Sequence, residues 1–272
     1  MALLKLNFKS QYLGNSHEVS IILPDKPRDT QPADFYLSGR RYKVLWLLHG
    51  TYGDHSDWVR KSMIELYACE RDLIVVMPSA LNSEYANWPD FSIGFNMYDY
   101  LTQELMPLVY NWLPASRRRE DNFIAGLSMG GYGALVYALN HPEKFAAAAV
   151  LSYPPMNREN ARWEDLDRRT QNDINKSGGM DAWLDSYENL WRLIDEKAHT
   201  GQLPRLYFAI GTEDFFWEKY REFKAHAQQI ALEATFEEEP GFGHEWRFWD
   251  MYIQKALTFF SLDEKDDQGN PY

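Results

Sequence analysis

Residues 124–134 read Ile-Ala-Gly-Leu-Ser-Met-Gly-Gly-Tyr-Gly-Ala, and this stretch decides the fold. The apolar residues 122–125 that lead into it favour a buried strand, and the glycine-rich residues that follow favour a tightly packed helix. Ser128 lies between them in a G-x-S-x-G sequence, at the sharp strand-to-helix turn that this motif requires. Side chains at Gly126 or Gly130 would collide across such a turn. The stretch therefore predicts a nucleophilic serine, and with it a hydrolase or an acyl transferase.

Other uses of these glycines fit the sequence poorly. A dinucleotide-binding turn that begins at Gly131-Tyr132-Gly133 needs a third glycine at position 136, which is Val136. Asp54, His55 and Asp57 lie close together, but serine-based ester chemistry needs no metal. We therefore expect neither a cofactor nor a metal site.

Composition narrows the class of protein. The 272 residues are 45% apolar and 15% aromatic, as in a globular chain, and the single cysteine, Cys69, excludes an intramolecular disulfide. A net charge of −12 disfavours binding to nucleic acid or to an anionic membrane. Residues 1–10 lack the apolar core of a signal peptide, and no run reaches the length of a membrane span. We expect a cytoplasmic protein that binds a small-molecule ester and no nucleic acid or membrane, with a homo-oligomeric state left open.

Apolar and amphipathic runs alternate along the chain. This alternation predicts the α/β class, with a mostly parallel central sheet covered by helices on both faces. Together with the G-x-S-x-G turn, it indicates the α/β-hydrolase fold. We expect one domain over residues 1–272, with a frayed tail at 263–272. Residues 154–202 break the alternation and predict a partly helical insertion, either a cap over the site or a pair of surface helices. Strands are predicted at 17–23, 43–48, 73–77, 122–125, 145–151, 205–210 and 235–239. Helices are predicted at 56–70, 96–113, 215–232 and 245–260, the second of them interrupted or bent near Pro107.

A serine nucleophile needs a base beside it and an acid that orients the base. His244 follows the last predicted strand on a glycine-rich loop, which is where this fold places its base. Asp214 follows the strand at 205–210 and is the predicted acid; Glu213 is the alternative, and Asp214 is also suited to cap the next helix. The remaining histidines lie in helices or in other segments: His17, His49, His55, His141, His199 and His226.

The tetrahedral intermediate needs two preorganised N–H donors. The backbone amide of Met129, directly after the nucleophile, is the first predicted donor. The second is expected in the loop that follows the strand at 43–48, where we favour the amide of Thr51. Gly50 gives the backbone room to approach the substrate there and is the alternative donor.

Aromatic residues offer candidates for the substrate pocket. Tyr85 and Trp88 lie in residues 82–94, a loop after a strand on the expected catalytic edge. They either form a wall of the pocket or only anchor the loop. Trp246 and Trp249 have helical spacing on the last helix and are predicted to belong to the core.

Five motifs together resemble the esterase D-like α/β-hydrolases, and within them the tributyrin esterase branch, which hydrolyses short-chain acyl esters. The resemblance covers most of the chain and places the family's nucleophile on Ser128, its acid on Asp214 and its base on His244. It implies a serine carboxylesterase that acts on acetyl to butyryl esters. The motifs are residues 47–53, 74–78, 124–134, 211–214 and 243–246.

Relatives within this resemblance leave the substrate open. S-formylglutathione hydrolases carry a cysteine in the loop after the first buried strand, whereas this chain has Thr51-Tyr52-Gly53-Asp54 there. Feruloyl and acetylxylan esterases are similar too, and the aromatic content keeps them as alternatives. An acyltransferase using the same acyl-enzyme, or a non-catalytic binding protein on the same scaffold, is a further alternative.

Overall fold

The computed structural model describes residues 1–264, so most of the predicted tail, from residue 265 on, lies outside the described residues. Ten strands occur within residues 1–264, eight of them in one central sheet and two in a separate small hairpin. They are β1 Ala2–Lys9, β2 Ser16–Leu23, β3 Val44–Leu48, β4 Ile74–Pro78, β5 Asn87–Trp88, β6 Phe95–Asn96, β7 Asn122–Leu127, β8 Ala147–Leu151, β9 Arg205–Gly211 and β10 Ala234–Glu239.

The central sheet has the spatial order β1-β2-β4-β3-β7-β8-β9-β10. Strands β1 and β2 pair antiparallel, as do β2 and β4, and every later neighbour is parallel. The predicted mostly parallel sheet is therefore confirmed. The inner parallel strands β3, β4, β7 and β8 are buried along their whole length, because helices cover both faces of the sheet there, whereas the edge strand β10 is only partly buried.

Helices cover both faces of the sheet, as predicted. Along β3, Trp46 and Leu48 face one core and Leu45 and Leu47 face the other, because successive side chains alternate across a strand. Within residues 1–264, no helix is long and apolar enough to cross a membrane. The helices are α1 Pro32–Tyr36, α2 Asp57–Lys61, α3 Ile64–Cys69, α4 Met97–Asp99, α5 Met106–Trp112, α6 Met129–Asn140, α7 Arg168–Lys176, α8 Met180–Leu184, α9 Leu190–Lys197, α10 Trp217–Gln229 and α11 Trp246–Phe259.

Two predicted helices differ from the structure. The helix expected over 56–70 is broken into α2 and α3, because Ser62 is extended and its hydroxyl donates to the Trp58 carbonyl at 2.5 Å, in competition with the helical pattern. The helix expected over 96–113 continues from α4 to α5 through a π-helical stretch, Tyr100–Leu105. That stretch ends two residues before Pro107, whose ring clashes with the carbonyl four residues back in a regular α-helix.

Candidate active site

The turn between β7 and α6 places Ser128 in a strained conformation. Its φ of 52° and ψ of −121° lie outside the regions that ordinary residues prefer, and its amide donates to the Leu151 carbonyl at 2.8 Å. A Cβ added at Gly126 would meet the backbone of Gly130 inside contact distance, and one added at Gly130 would meet the Leu48 carbonyl. As predicted from the sequence, side chains at these two positions would collide, and the atoms that they would meet belong to the backbone. Steric crowding of main-chain atoms fixes this turn.

The structure brings His244 and Asp214 together. The imidazole Nδ1 lies 2.8 Å from Asp214 Oδ2, and the Asp214 side chain is fully buried while that of His244 is 16% exposed. Asp214 Oδ1 accepts a hydrogen bond from the Phe216 amide at 2.9 Å, so the same carboxylate also caps the chain before α10. Glu213, the alternative acid, is exposed. The carboxylate leaves Nδ1 as the protonated nitrogen and Nε2 as the one available to accept a proton.

Ser128 and His244 line one cavity of about 680 Å³. Within residues 1–264, no hydrogen bond joins the Ser128 hydroxyl to the His244 ring; such bonds are often long before substrate binds. The ring packs edge-on against Trp249, at 5.0 Å between centroids, and lies tilted by 38° against Phe215, at 4.4 Å. Trp249 is buried, as predicted for a core residue, yet with Trp246 it also lines this cavity. Aromatic rings therefore surround the candidate base.

Two backbone amides lie beside the serine. The loop after β3 approaches so closely that a Cβ at Gly50 would stand 3.4 Å from Ser128 Cβ. Neither the Thr51 amide nor the Met129 amide donates a hydrogen bond to a protein acceptor within residues 1–264. Both residues line a cavity of about 370 Å³ that also contains Ser128. The arrangement suits donors to an oxyanion, with Gly50 as the alternative to Thr51.

His49 supports this loop from below. Burial lowers the pKa of the His49 imidazole, so the ring is neutral near pH 7. Its Nε2 accepts from the Ala80 amide at 2.9 Å, and its Nδ1 donates to the Gly50 carbonyl at 2.7 Å. The ring thus connects the loop after β3 to the loop after β4.

Tyr85 and Trp88 do not line either cavity. Tyr85 is fully buried, and its hydroxyl donates to the His49 carbonyl at 3.0 Å. Trp88 donates its Nε1–H to the Ser83 carbonyl at 2.8 Å. Glu84 and Tyr85 both have positive φ angles, of 55° and 53°, which turn Tyr85 into the core while Glu84 lines the 370 Å³ cavity. The two aromatic residues anchor loops in this structure.

The cap segment, residues 154–202, forms most of the wall of the 370 Å³ cavity. It contains α7, α8 and α9, and α9 buries its apolar face in the core against α6. Arg169 of α7 and Glu84 form an ion pair at this wall, and neither was predicted as a site residue. Burial raises the pKa of Glu84 to about 7, although the guanidinium lowers it. A charged pair 85 residues apart has no local sequence signal.

The acidic cluster Asp54, His55 and Asp57 makes contacts with other protein groups. Asp57 pairs with Lys61 at 2.9 Å, and His55 Nδ1 lies 2.7 Å from the Ser20 hydroxyl. No group of three or more His, Cys, Asp or Glu side chains in residues 1–264 is placed to hold a metal ion.

Comparison with known proteins identifies the family. The family model described as "Putative esterase" matches residues 10–260. An acetyl esterase of Caldicellulosiruptor saccharolyticus is 30% identical over 272 residues, covering 96% of this chain and 98% of that protein. Among solved structures, the serine hydrolase FphF of Staphylococcus aureus is similar, with 30% identity, a TM-score of 0.79 and coverage of 97% and 99% of the two chains.

Two further solved structures are similar. The S-formylglutathione hydrolase FrmB of Staphylococcus aureus has 31% identity and a TM-score of 0.77, with coverage of 96% of this chain and 99% of its own. A ferulic acid esterase with 20% identity and a TM-score of 0.74 shares the fold, with coverage of 95% and 97%. The match to the family model, the identity to the acetyl esterase and the α/β-hydrolase architecture agree with the resemblance inferred from the motifs. The chain therefore belongs to the esterase family, as an esterase D-like α/β-hydrolase, and is a carboxylic ester hydrolase.

Proposed function

We propose that the chain is a serine carboxylesterase that hydrolyses short-chain acyl esters, acetyl to butyryl, through Ser128, His244 and Asp214. The observation that carries the proposal is the strained Ser128 on the wall of a cavity that it shares with His244, whose Nδ1 lies 2.8 Å from the buried Asp214. A positioned base and a carboxylate that orients it are what a serine hydroxyl needs to attack an ester.

The reaction follows from these positions. His244 Nε2 takes the proton as Ser128 Oγ attacks the ester carbonyl, and the amides of Met129 and Thr51 hold the oxyanion. His244 then donates that proton to the leaving alcohol, which departs and leaves an acyl-serine. Water, deprotonated by the same ring, attacks the acyl group. The bond to Ser128 Oγ breaks, Oγ takes the proton back from His244, and the acid is released. Asp214 keeps Nδ1 protonated throughout and stabilises the imidazolium.

The side chains that line the 370 Å³ cavity favour substrates with short acyl groups. Glu84, Arg169, Asp173 and Glu188 line it together with aromatic side chains. A long alkyl chain there would displace water from these charged groups and offer no hydrogen bond in exchange, which is costly. The acetyl esterase of Caldicellulosiruptor saccharolyticus, 30% identical, supports the same size range.

The test measures hydrolysis of p-nitrophenyl acetate and butyrate together with labelling by a fluorophosphonate. We expect Ser128→Ala to abolish both ester hydrolysis and fluorophosphonate labelling, while its circular dichroism spectrum stays that of wild type. Ser38→Ala, which changes an exposed serine in the loop after α1, is the control and keeps both. Full hydrolysis by Ser128→Ala contradicts the proposal.

Two observations support second candidates for the substrate. The likeness to an S-formylglutathione hydrolase, at 31% identity, supports a thioester. The rings of Phe215, Phe216, Trp246 and Trp249 around the larger cavity support an aromatic group, as in a feruloyl ester. A panel of S-formylglutathione, methyl ferulate, acetylated xylan and p-nitrophenyl esters, compared by kcat/KM, separates these from the short-chain acyl ester.

A further inference from the structure

Helix α7 of the cap segment is held at both ends, directly by the body of the protein at one end and through Glu188 of the cap segment at the other. At its C-terminal end, Lys176 Nζ lies 2.6 Å from the Glu188 carboxylate, which also accepts a hydrogen bond from Tyr132 of α6. At its N-terminal end, Arg169 pairs with Glu84 of the loop after β4. The helix therefore lies across the 370 Å³ cavity that borders Ser128.

Arg169 also contacts the loop that carries the predicted second oxyanion donor. Its Nη1 donates to Thr51 Oγ1 at 2.8 Å, while its Nη2 engages Glu84. The guanidinium lies in the wall between the two cavities and lines both, as do Thr51, Ser128 and Phe216. One planar cation thus holds two loops, because its donors diverge in a fixed fork.

The contacts beneath the loop after β3 do not include the Thr51 side chain, which is bound by Arg169. The loop after β4 holds the residue two before Thr51 and the residue directly after it: Tyr85 donates to the His49 carbonyl at 3.0 Å, and Asn82 accepts from the Tyr52 amide at 2.8 Å. Within residues 1–264, the Thr51 side chain has a hydrogen bond to Arg169 and to no other residue. The peptide that leads into Thr51 is held at the Gly50 carbonyl, by His49 Nδ1 at 2.7 Å and by the Gly53 amide at 3.1 Å. Arg169 holds the other side of this peptide, through the Thr51 side chain.

The backbone of Arg169 is itself fixed. Asp167 caps α7 by accepting from the amides of Arg169 and Thr170 at 2.9 and 3.0 Å. Ile174, in the next turn, is fully buried. The arginine therefore starts from a rigid helix end, as a positioning residue requires.

We propose that Arg169 is a positioning residue of the ester hydrolysis: it orients the Thr51 amide toward the oxyanion by holding the Thr51 hydroxyl. The inference rests on the proposed function, because it needs Ser128 to form the oxyanion. It assigns to the cap segment a part in the chemical step in addition to forming the cavity wall. A guanidinium bound to the side chain of Thr51 acts on the reaction through that residue and does not touch the reacting atoms.

The test is a double-mutant cycle on kcat for p-nitrophenyl acetate, with Arg169→Met and Thr51→Val. Valine keeps the Thr51 amide and removes only its hydroxyl. We expect each variant to lower kcat about tenfold with KM within about twofold, less than the 10²–10³ lost with a whole oxyanion donor. The double variant is expected to be no slower than either single one. Arg162→Met, which breaks an exposed ion pair with Asp165 of the same cap segment, is the control and keeps kcat.

The same variants are labelled with a fluorophosphonate and unfolded with urea. The proposal holds if Arg169→Met, folded at the assay temperature, labels Ser128 fully but about tenfold more slowly, and if Thr51→Val, which leaves the pair of Arg169 with Glu84 intact, slows labelling equally with the unfolding midpoint of wild type. It is overturned if the two substitutions lower kcat independently, so that their effects multiply, or if Arg169→Met leaves kcat unchanged or raises KM alone. A wild-type protein that neither hydrolyses the ester nor is labelled overturns the proposed function instead, and this inference with it.

Discussion

The elbow around Ser128 and the cap segment border the same cavity but are held in place by different forces. The elbow is fixed by main-chain crowding: Gly126, Gly130 and the Leu48 carbonyl leave no room for another arrangement. Helix α7 of the cap segment is held at its ends by ion pairs, Arg169 with Glu84 and Lys176 with Glu188. The position of the nucleophile is therefore insensitive to pH and to distant side chains, whereas that of α7 depends on a few charges.

Removal of the predicted base, His244, is the sharpest test of the role of the elbow serine. We expect His244→Gln to lower kcat for p-nitrophenyl butyrate at least about 10⁴-fold, because the base and the serine act as one unit. His226→Gln is a matched control, since His226 Nε2 lies 2.5 Å from Asp195 in a second His–Asp pair on α10 and α9. The control is expected to keep full activity. Equal losses in the two variants would show that the effect is not specific to the site.

A methyl group in the elbow tests whether backbone crowding alone fixes the turn. We expect Gly126→Ala to destabilise the protein by about 3 kcal/mol and to abolish ester hydrolysis, because rigid main-chain atoms of Gly130 cannot move aside. Gly243→Ala is the control for stability, since its added carbon meets nothing closer than the Glu213 carbonyl at 3.7 Å. Urea unfolding monitored by tryptophan fluorescence measures the stability of both variants. A Gly126→Ala variant as stable as Gly243→Ala contradicts steric fixation.

The same difference explains what could be predicted from the sequence. The elbow, its strand and its helix are encoded by neighbouring residues, so Ser128, Gly126 and Gly130 could be assigned their places. Asp214 and His244 follow two parallel strands, β9 and β10, whose carboxyl ends lie at one edge of the sheet. Their meeting at 2.8 Å follows from that topology.

The contacts that the sequence did not reveal join distant parts of the chain. Arg169 pairs with Glu84 and Thr51 across 85 and 118 residues, and nothing local marks any of the three as a partner. Tyr85 was a candidate for the pocket, but Glu84 and Tyr85 both have positive φ angles, which turn the Tyr85 side chain away from the cavity and into the core. Neither residue is a glycine, so the sequence does not mark this turn. Strand β1 is an antiparallel edge strand with many exposed positions, so it lacks the apolar run by which buried strands are recognised.

Loss of the second ion pair tests the cap side of the comparison. We expect Lys176→Met to destabilise the protein by about 2 kcal/mol, measured by urea unfolding, because it leaves Glu188 buried without its cation. The loss is smaller than for a pair that must stay charged, since burial raises the pKa of Glu188 and lets it take up a proton. Lys219→Met, which breaks an exposed pair with Glu222, is the control.

Hydrogen exchange locates this effect. We expect the amides of α7 to exchange faster in Lys176→Met, while those of α6 keep the protection of wild type. The Lys176→Met/Glu188→Gln variant is expected to recover part of the lost stability, because the buried charge is gone. Faster exchange spread evenly over α6 and α7 would mean that the elbow and the cap segment share one set of contacts.

The smallest effect concerns pH. Burial raises the pKa of Glu84 from 4.5 to about 7, so the folded protein binds a proton there that the unfolded chain has lost. The stability due to neutral Glu84 is complete below about pH 4.5 and is lost as the pH rises through about 7. Because glutamine cannot ionise, we expect Glu84→Gln to gain stability relative to wild type between pH 5 and pH 8, by on the order of 1 kcal/mol. Exposed Glu159→Gln is the control, and urea unfolding at both values measures the difference. A Glu84→Gln curve parallel to that of wild type would show that this carboxylate loses its proton as easily in the fold as in water, and that the cap does not depend on its ionisation.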